Sequence, residues 1–478
     1  MRLHPLSAVV GATREVIGLL AAGATGLLVG GPTAGLYFTS LAVAVGLVHH
    51  LVTWVTFTYT LHADRIELRR AFIGRSVKNI PLERIRSVDV STTLLHRVLG
   101  LAVVHIDAAS GDGDRQDGTL NAVSLAEGVR LRHELLGGTV TLPEETVYAR
   151  VRPRWYLYAP LSGAYLLTPF ALAGSFLGTL YNVGDDLGLI NANRLAHLGD
   201  DVRGLPPLLG FVLAGLFALA MPVASVVVFT VVNWDFTLRA VGADGTLVAR
   251  RGLLTRRTVT LERRRIRGVE VRANPFERLA GVVRLGAVVT GLGDASHRGR
   301  LFPAAPSGVA WSVAARVLGG PGPALTPHPR SARSRRVLRA VAAPLAATGA
   351  AVLLGQLWLA WTCAVLALLC VPLGYDRYRQ LGHGADGAHV SVRSGTLSRR
   401  HAVVEHRAVV GWRLRQSVFQ RRLGLATLVV AVGAGEGGYA AIDLAESDAI
   451  ALAARITPAW VTPFLEHQPA GDHAAVPG

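Results

Sequence analysis

Three long stretches without Asp, Glu, Lys or Arg constrain this chain more than any other feature. The first runs from Val16 to Ala63. A helical membrane crossing takes about 20 apolar residues, so this block suits two crossings, turned at the Gly- and Pro-rich "GGPTAG" of residues 30–35. The expected spans are 16–31 and 35–57, and no cleavage-site pattern precedes them, so they read as an anchor. The second block, 155–234, holds uncharged runs at Tyr156–Gly184 and Leu205–Trp234 around an acidic loop, 185–204. The third, Ala340–Tyr375, has Gly355 and Gln356 near its middle, and its halves are short for full spans. Apolar residues make up 51% of the chain and charged residues 17%, with mean hydropathy +0.38, a balance that points to a membrane protein.

Arginines flank every block. Arg2 and Arg14 precede the first and Arg65, Arg69 and Arg70 follow it; Arg150, Arg152 and Arg154 precede the second and Arg239, Arg250 and Arg251 follow it. Arg330, Arg333, Arg335, Arg336 and Arg339 precede the third, with Arg377 and Arg379 after it. The positive-inside rule places both ends of each block in the cytoplasm, which requires an even number of crossings and puts the acidic loop outside. Both termini are then cytoplasmic. The net charge of +17 is carried by arginine almost alone, Lys78 being the single lysine. So lopsided a ratio argues for base composition, and arginine number by itself is discounted. Cys363 and Cys370 lie on one face of an apolar helix and read as packed free thiols; with no others, there is neither a disulfide framework nor a Cys-based zinc site.

What lies between the blocks is a repeat. "IRSVDVSTTLLHRVLGLAVV" (85–104) falls without a gap on "IRGVEVRANPFERLAGVVRL" (266–285), and "VVGWRLRQSVFQRRLGLATL" (409–428) falls on both. Arg97, Arg278 and Arg421 share a column, as do Gly100, Gly281 and Gly424, and Leu95, Phe276 and Phe419. Upstream, Arg75 aligns with Arg256 and Arg399 at the same offsets. A pattern common to three copies favours a folding signature over a chemical site. "RIELR" (65–69), "IRSVDV" (85–90) and "VVHID" (103–107) alternate as half-buried strands do, with equivalents "TVTL" (258–261), "IRGVEV" (266–271) and "VRLGAVV" (283–289). A short helical turn sits before the last of these, opened in copy two by Asn274-Pro275 and closed by Gly281. Each copy ends in an amphipathic helix, at 124–136, 307–319 and 445–456, the first with Ser124 and Glu127 as a capping box.

"LLHRVLGL", "PFERLAGV" and "VFQRRLGL", each about a dozen residues into an Ile-Arg or Val-Val strand, together with the threefold alternation of span pair and module, resemble bacterial membrane proteins with pleckstrin-homology (PH)-like domains. The resemblance covers nearly the whole chain. It implies an α+β membrane protein: three transmembrane helix hairpins, each followed by a PH-like, seven-stranded, partly open β-barrel with a C-terminal helix. The segments are then hairpin 14–57, module 58–138, hairpin 155–234, module 235–320, a flexible basic linker 321–336, hairpin 337–375, module 376–460 and a disordered tail 461–478. The third copy departs from the pattern, with Ala408 where Arg84 and Arg265 stand and Val410 where Arg86 and Arg267 stand.

No P-loop, GxSxG, HExxH or paired CxxC is present. His49 and His50 are adjacent in an expected span and diverge by about 100°, too far to chelate one metal. The glycine-rich runs at 111–118, 291–299 and 433–438 fall at equivalent places and read as hairpin turns; they have neither the EF-hand spacing nor a helix for dinucleotide binding. Gln356 is expected to cap the third hairpin's turn. The basic residues lack interleaved aromatics, which argues against nucleic acid. The dense set Arg250, Arg251, Arg256, Arg257, Arg263, Arg264, Arg265 and Arg267 is instead a candidate contact for anionic phospholipid headgroups, with the second module against the inner leaflet. The expectation is a non-enzymatic protein of the bacterial plasma membrane, without cofactor or metal, whose three cytoplasmic modules bind lipid or another membrane protein, with the resemblance adding a cell-envelope connection. A six-helix transporter or channel is the other reading; spans without acidic or basic residues argue against it.

Overall fold

The computed structural model describes residues 4–6, 40, 44, 46, 48, 51–52, 54–71, 75–108, 118–135, 145–186, 207–242, 245–290 and 299–464. Most of the first hairpin, the loop from 187 to 206, most of the glycine runs at 111–118 and 291–299, and the tail past 464 lie outside the described residues. The chain divides into two compact units, Met1–Arg264 with Pro303–Ala305, and Arg265–Phe302 with Pro306–Gly478. The division falls inside the second expected module.

In the first unit, β1 (Thr58–Leu61), β2 (Arg65–Ala71) and β3 (Arg75–Pro81) form an antiparallel sheet in sequence order. The alternation read from "RIELR" is real: Ile66 and Leu68 are buried while Glu67 and Arg69 between and beyond them are not. The strands β4 (Ile85–Thr92), β5 (Leu101–Ala108) and β6 (Gly118–Ser124) belong to a second sheet. The two sheets enclose one apolar core, in which Tyr59, Ile66 and Ile80 meet Val88, Val104 and Leu120, and Leu131 and Leu135 of the helix Leu125–Leu135 close it. That helix starts where the capping box places it, with the Glu127 amide donating to Ser124 Oγ at 3.2 Å.

The second sheet does not stop at the module. Its order is β6–β5–β4–β10–β9–β8–β7, where β7 is Glu145–Arg150, β8 Thr237–Val241, β9 Thr246–Arg251 and β10 Arg256–Leu261. Thus β4 of the first module pairs antiparallel with β10 of the second, Thr92 opposite Arg256 and Val90 opposite Thr258. β7 and β8, on either side of the apolar helices Gly163–Asp186 and Pro207–Asn233, also pair antiparallel. The strand β10 contains "TVTL", so the true counterpart of that motif is β3, and "RIELR" corresponds to β9.

The second unit repeats the device. β11 (Ile266–Ala273) and β12 (Val282–Val289) continue into β16 (Arg399–Glu405), β15 (His389–Ser394) and β14 (Gly382–Ala385), in the order β12–β11–β16–β15–β14. A further strand, β13 (Arg300–Pro306, of which Arg300–Phe302 belongs to this unit), flanks β12. β11 of the second module pairs with β16 of the third, Ala273 opposite Arg399 and Val271 opposite His401. β17 (Val409–Arg415), β18 (Leu425–Val432) and β19 (Gly438–Ala445) form a separate three-stranded sheet. The third module's core joins Val390, Val392 and Val404 to Leu428, Val430 and Leu444, with Leu452 of the helix Glu446–Ile456. The expected self-contained seven-stranded barrels are therefore corrected. Each module is strands plus a closing helix, as expected, but the sheets are open and two of them are shared between consecutive modules.

Among the described residues, three helices are long and apolar enough to cross a membrane: Leu208–Asn233, Arg330–Leu353 and Leu357–Arg379. The third hairpin outgrows its expected limits of 337–375 because Arg330–Arg339 extends its first helix. Its helices approach closely at Gly374, where a Cβ would meet Val337 Cα at 2.7 Å; small residues permit such approach between span helices. Gln356 does not cap with its side chain, whose Oε1 instead accepts from Trp358 Nε1 at 3.2 Å.

The flexible basic linker of 321–336 is also corrected, since residues from Arg330 on are helical and anchored. Arg335 and Arg336 bond to the carboxylate of Asp443, Arg336 Nε at 2.7 Å, and Gln420 Nε2 donates to it at 2.8 Å. Asp443 is fully buried at φ +63°. A buried carboxylate is tolerable only when paired, so this group fixes the hairpin's first turn to the third module. Asp443→Ala leaves buried guanidinium groups uncompensated and is expected to cost about 3–5 kcal/mol, read as a fall in the melting temperature of the detergent-solubilised chain. His328 lies beside it, its Nδ1 donating to the carbonyls of Ile442 and Asp443 at 3.0 and 3.2 Å. Burial, with His383 nearby, pushes its pKa down to about 4. A depressed pKa means the unfolded chain takes up the proton first. Stability is therefore expected to be full above about pH 6.5 and to be lost as pH falls toward about 4, with His328→Gln flattening this part of the profile in acid-titrated melting curves.

Candidate functional site: arginine joints at the span ends

The signature motif folds as the sequence implies. Leu94–Val98, Pro275–Leu279 and Val418–Arg421 are short helices, capped by the side chains of Thr93, Asn274 and Ser417. Gly100, Gly281 and Gly424 follow at φ +67°, +66° and +62°, a region that favours glycine. Their carbonyls accept from the amides of Leu125, Ser307 and Glu446, which start the closing helices. The glycine column is thus a folding signature.

Two of the column's arginines, Arg97 and Arg278, do something different: they reach into the next module. Arg97 Nη2 donates to the carbonyl of Leu253, at the tip of the β9–β10 hairpin, at 3.0 Å. Arg278 Nη1 donates to the carbonyl of Thr396, the equivalent tip between β15 and β16, at 3.3 Å, and Arg278 forms a two-pronged pair with Asp376 at 3.0 Å. The tips in turn sit on span ends. The amides of Gly252 and Leu253 donate to the carbonyls of Trp234 and Val231 at 2.9 Å, in the last turn of the helix before β8. Arg393 donates to the carbonyls of Gln380 and Arg379, at the C-terminus of Leu357–Arg379, where a cation also suits the helix dipole.

Each joint gathers three arginines from the same columns. In the first, burial and then Arg250 and Arg97 hold the Arg256 guanidinium below its ordinary pKa, with Asp235 opposing. In the second, burial and then Arg393 and Arg278 do the same to Arg399, with Asp376 opposing. The sets are Arg97, Arg250 and Arg256, and Arg278, Arg393 and Arg399, related by the repeat offsets. They differ in charge balance. In the second joint Asp376 pairs with Arg278, whereas the first has Asn233 in that column, buried and bonded to the Phe229 carbonyl at 3.0 Å. The side chains of Arg250 and Arg256 have no hydrogen-bond partner among the described residues.

The eight arginines proposed for headgroups are dispersed. Arg250 and Arg256 meet at the first joint, and Arg257 is exposed on β10. Arg251 is buried, because it falls on the inward face of the alternating β9, and this removes it from any headgroup contact. Arg264 is held by Glu262 at 2.6 Å beside Arg263, while Arg265 and Arg267 belong to the second unit. Arg393 and Arg399 escaped the sequence reading as a set, although the offset that aligned Arg256 with Arg399 also aligns Arg250 with Arg393. Around the joints, apolar side chains face outward: Leu95, Val98 (83% exposed) and Leu254 at the first, Phe276, Leu279 (88% exposed) and Leu397 at the second.

A family model described as "Bacterial PH domain" matches residues 9–139, 191–306 and 340–458. The chain belongs to the bacterial PH domain family. The second and third matched segments include the apolar helices Leu208–Asn233 and Leu357–Arg379 as well as PH modules. The chain is also similar to the UPF0699 transmembrane protein YdbT of Bacillus subtilis (strain 168), at 21% identity over 416 residues, covering 80% of each chain. No solved structure gives a significant match.

Arg278 serves as a strut between PH modules. A partly buried, charge-assisted pair contributes about 1.5–3 kcal/mol. Arg278→Ala is therefore expected to speed amide exchange in the hairpin 394–399 roughly 10- to 100-fold by mass spectrometry on the solubilised chain, and Arg278→Lys, without the forked geometry, to restore little of it.

Proposed function

We propose that this chain is a non-catalytic membrane scaffold that holds its three PH modules against the cytoplasmic face of the plasma membrane, with the first joint taking an anionic lipid headgroup. The observation that carries the reading is the seating of the hairpin tip 252–255 on the last turn of a span, bonded to Val231 and Trp234. A module tied there meets lipid headgroups by geometry alone. Exposed Leu95, Val98 and Leu254 are then residues for the leaflet boundary, and Arg250 and Arg256 are cations with no hydrogen-bonded protein partner among the described residues. Doubling back of the span pairs is supported by β7 pairing with β8 across the second apolar block, and by the bridge from Thr326 to His383 across the third. With the flanking arginines, this favours both termini in the cytoplasm.

Cationic groups at an anionic leaflet contribute about 1 kcal/mol each. Two arginines then give about 2 kcal/mol, roughly 30-fold in affinity. In nanodiscs of phosphatidylcholine with a minor share of phosphatidylglycerol, the full chain is expected to retain phosphatidylglycerol selectively by native mass spectrometry. Arg250→Gln with Arg256→Gln is expected to lower that retention about 30-fold, while Arg393→Gln with Arg399→Gln, at the joint that holds the Arg278–Asp376 pair, leaves it intact. Equal retention by the first pair of variants would overturn the headgroup reading.

A further inference from the structure

The outer strands of the sheets include β3, the last strand of the first sheet, and β17, the first strand of the last. They are the counterparts of the strands that pair at the two joints. β3 occupies the place of β10 and β16; β17 occupies the place of β4 and β11. Both existing joints use one register, with Thr92 opposite Arg256 and Ala273 opposite Arg399. Carried by the repeat offsets to these two strands, that register sets Gln416 opposite Arg75, Leu414 opposite Val77 and Arg413 opposite Lys78.

We propose that β17 of one chain pairs with β3 of a second copy of this chain, completing a third arginine joint between molecules. Three observations support this pairing. First, Leu414 is 46% exposed, whereas Val90 and Val271, in its column, are 6% and 4% exposed because a neighbouring module covers them. Second, Val77, which the register places against Leu414, is itself 47% exposed. Third, Arg421 is exposed and its side chain has no hydrogen-bond partner among the described residues, while the side chains of its counterparts Arg97 and Arg278 bond to the next module's hairpin tip. Its missing companions fall in the columns of Arg69 and Arg75, on β2 and β3. The joint is incomplete without the second copy. Edge strands with free amides and carbonyls template strand addition, and a head-to-tail contact of this kind builds rings or rows within a membrane. Arg413 stands where β4 has Asp89 and β11 has Glu270, so it faces Lys78 with like charge. Opposed like charges weaken a strand pair, and salt screens them; the contact therefore strengthens as salt rises.

The test uses two differently tagged full-length chains made in the same cells, both with Cys363→Ala and Cys370→Ala. One carries Leu414→Cys and the other Val77→Cys. Mild oxidation of the membranes is expected to give a disulfide-linked species bearing both tags, with a higher yield at high salt and with Arg413→Glu. A single chain with Val271→Cys and His401→Cys, the same register inside the molecule, is the control and closes internally. If that control closes while no species with both tags forms, the proposal is wrong. It is equally wrong if Leu414→Cys and Val77→Cys placed in one chain close only within a monomer. Neither result bears on lipid retention, so the headgroup reading stands or falls separately.

Discussion

The structure depends on the backbone hydrogen-bonding need of two edge strands. A three-stranded sheet leaves an outer row of amides and carbonyls without partners, and burying them unpaired is costly. β4 and β11 meet that need with β10 and β16, which belong to the following module. Everything else about the joints follows from the pairing. It brings Arg97 and Arg278 to the next module's hairpin tip, and it brings that tip's own arginines to the same place. It also places Glu270 and Arg272 of β11 near Arg400 of β16, where Glu436 bonds to both arginines, to Arg272 at 2.8 Å. The compact units consequently divide the second module between them, after Arg264.

This arrangement ties soluble modules to apolar helices through backbone bonds as well as through chain continuity. The tip at 252–255 rests on the span that ends at Asn233, and Arg393 caps the span that ends at Arg379. Asp443 binds the first helix of the third hairpin at that same end, through Arg335 and Arg336. A PH module so attached is held in place at the ends of the apolar helices. The two joints share geometry but not charge, since Asp376 occupies the column of Asn233. One substitution in one column thus gives the second joint a carboxylate paired with its signature arginine, where the first has an amide.

Much of this was legible in the sequence. Uncharged blocks located the helices, alternation located the strands, and the gapless offsets located the short helix and its glycine. Those signals are local: a period, a turn residue, a cap. What stayed hidden was non-local. Alternation says that β4 is half-buried, but not which strand borders it, because a partner within the module and one in the next leave the same pattern. That is why separate barrels were expected. The segment 321–336 reads as a tether because its composition is that of a linker; nothing local announces that Asp443, over a hundred residues away, receives the side chains of Arg335 and Arg336. The three-arginine joints were half visible. Their columns could be aligned, but their meeting required the strand pairing.

The central claim is that neighbouring modules are one sheet where they join. Val403 pairs with Val269 in the middle of β16 and β11. Proline at position 403 removes an amide from the ladder and breaks the strand around it. The most direct measurement is amide exchange on the full solubilised chain carrying Val403→Pro. The account predicts that protection falls in 399–405 and in 266–273 together, although these segments belong to different modules. Loss confined to 399–405, with 266–273 as protected as before, would contradict it.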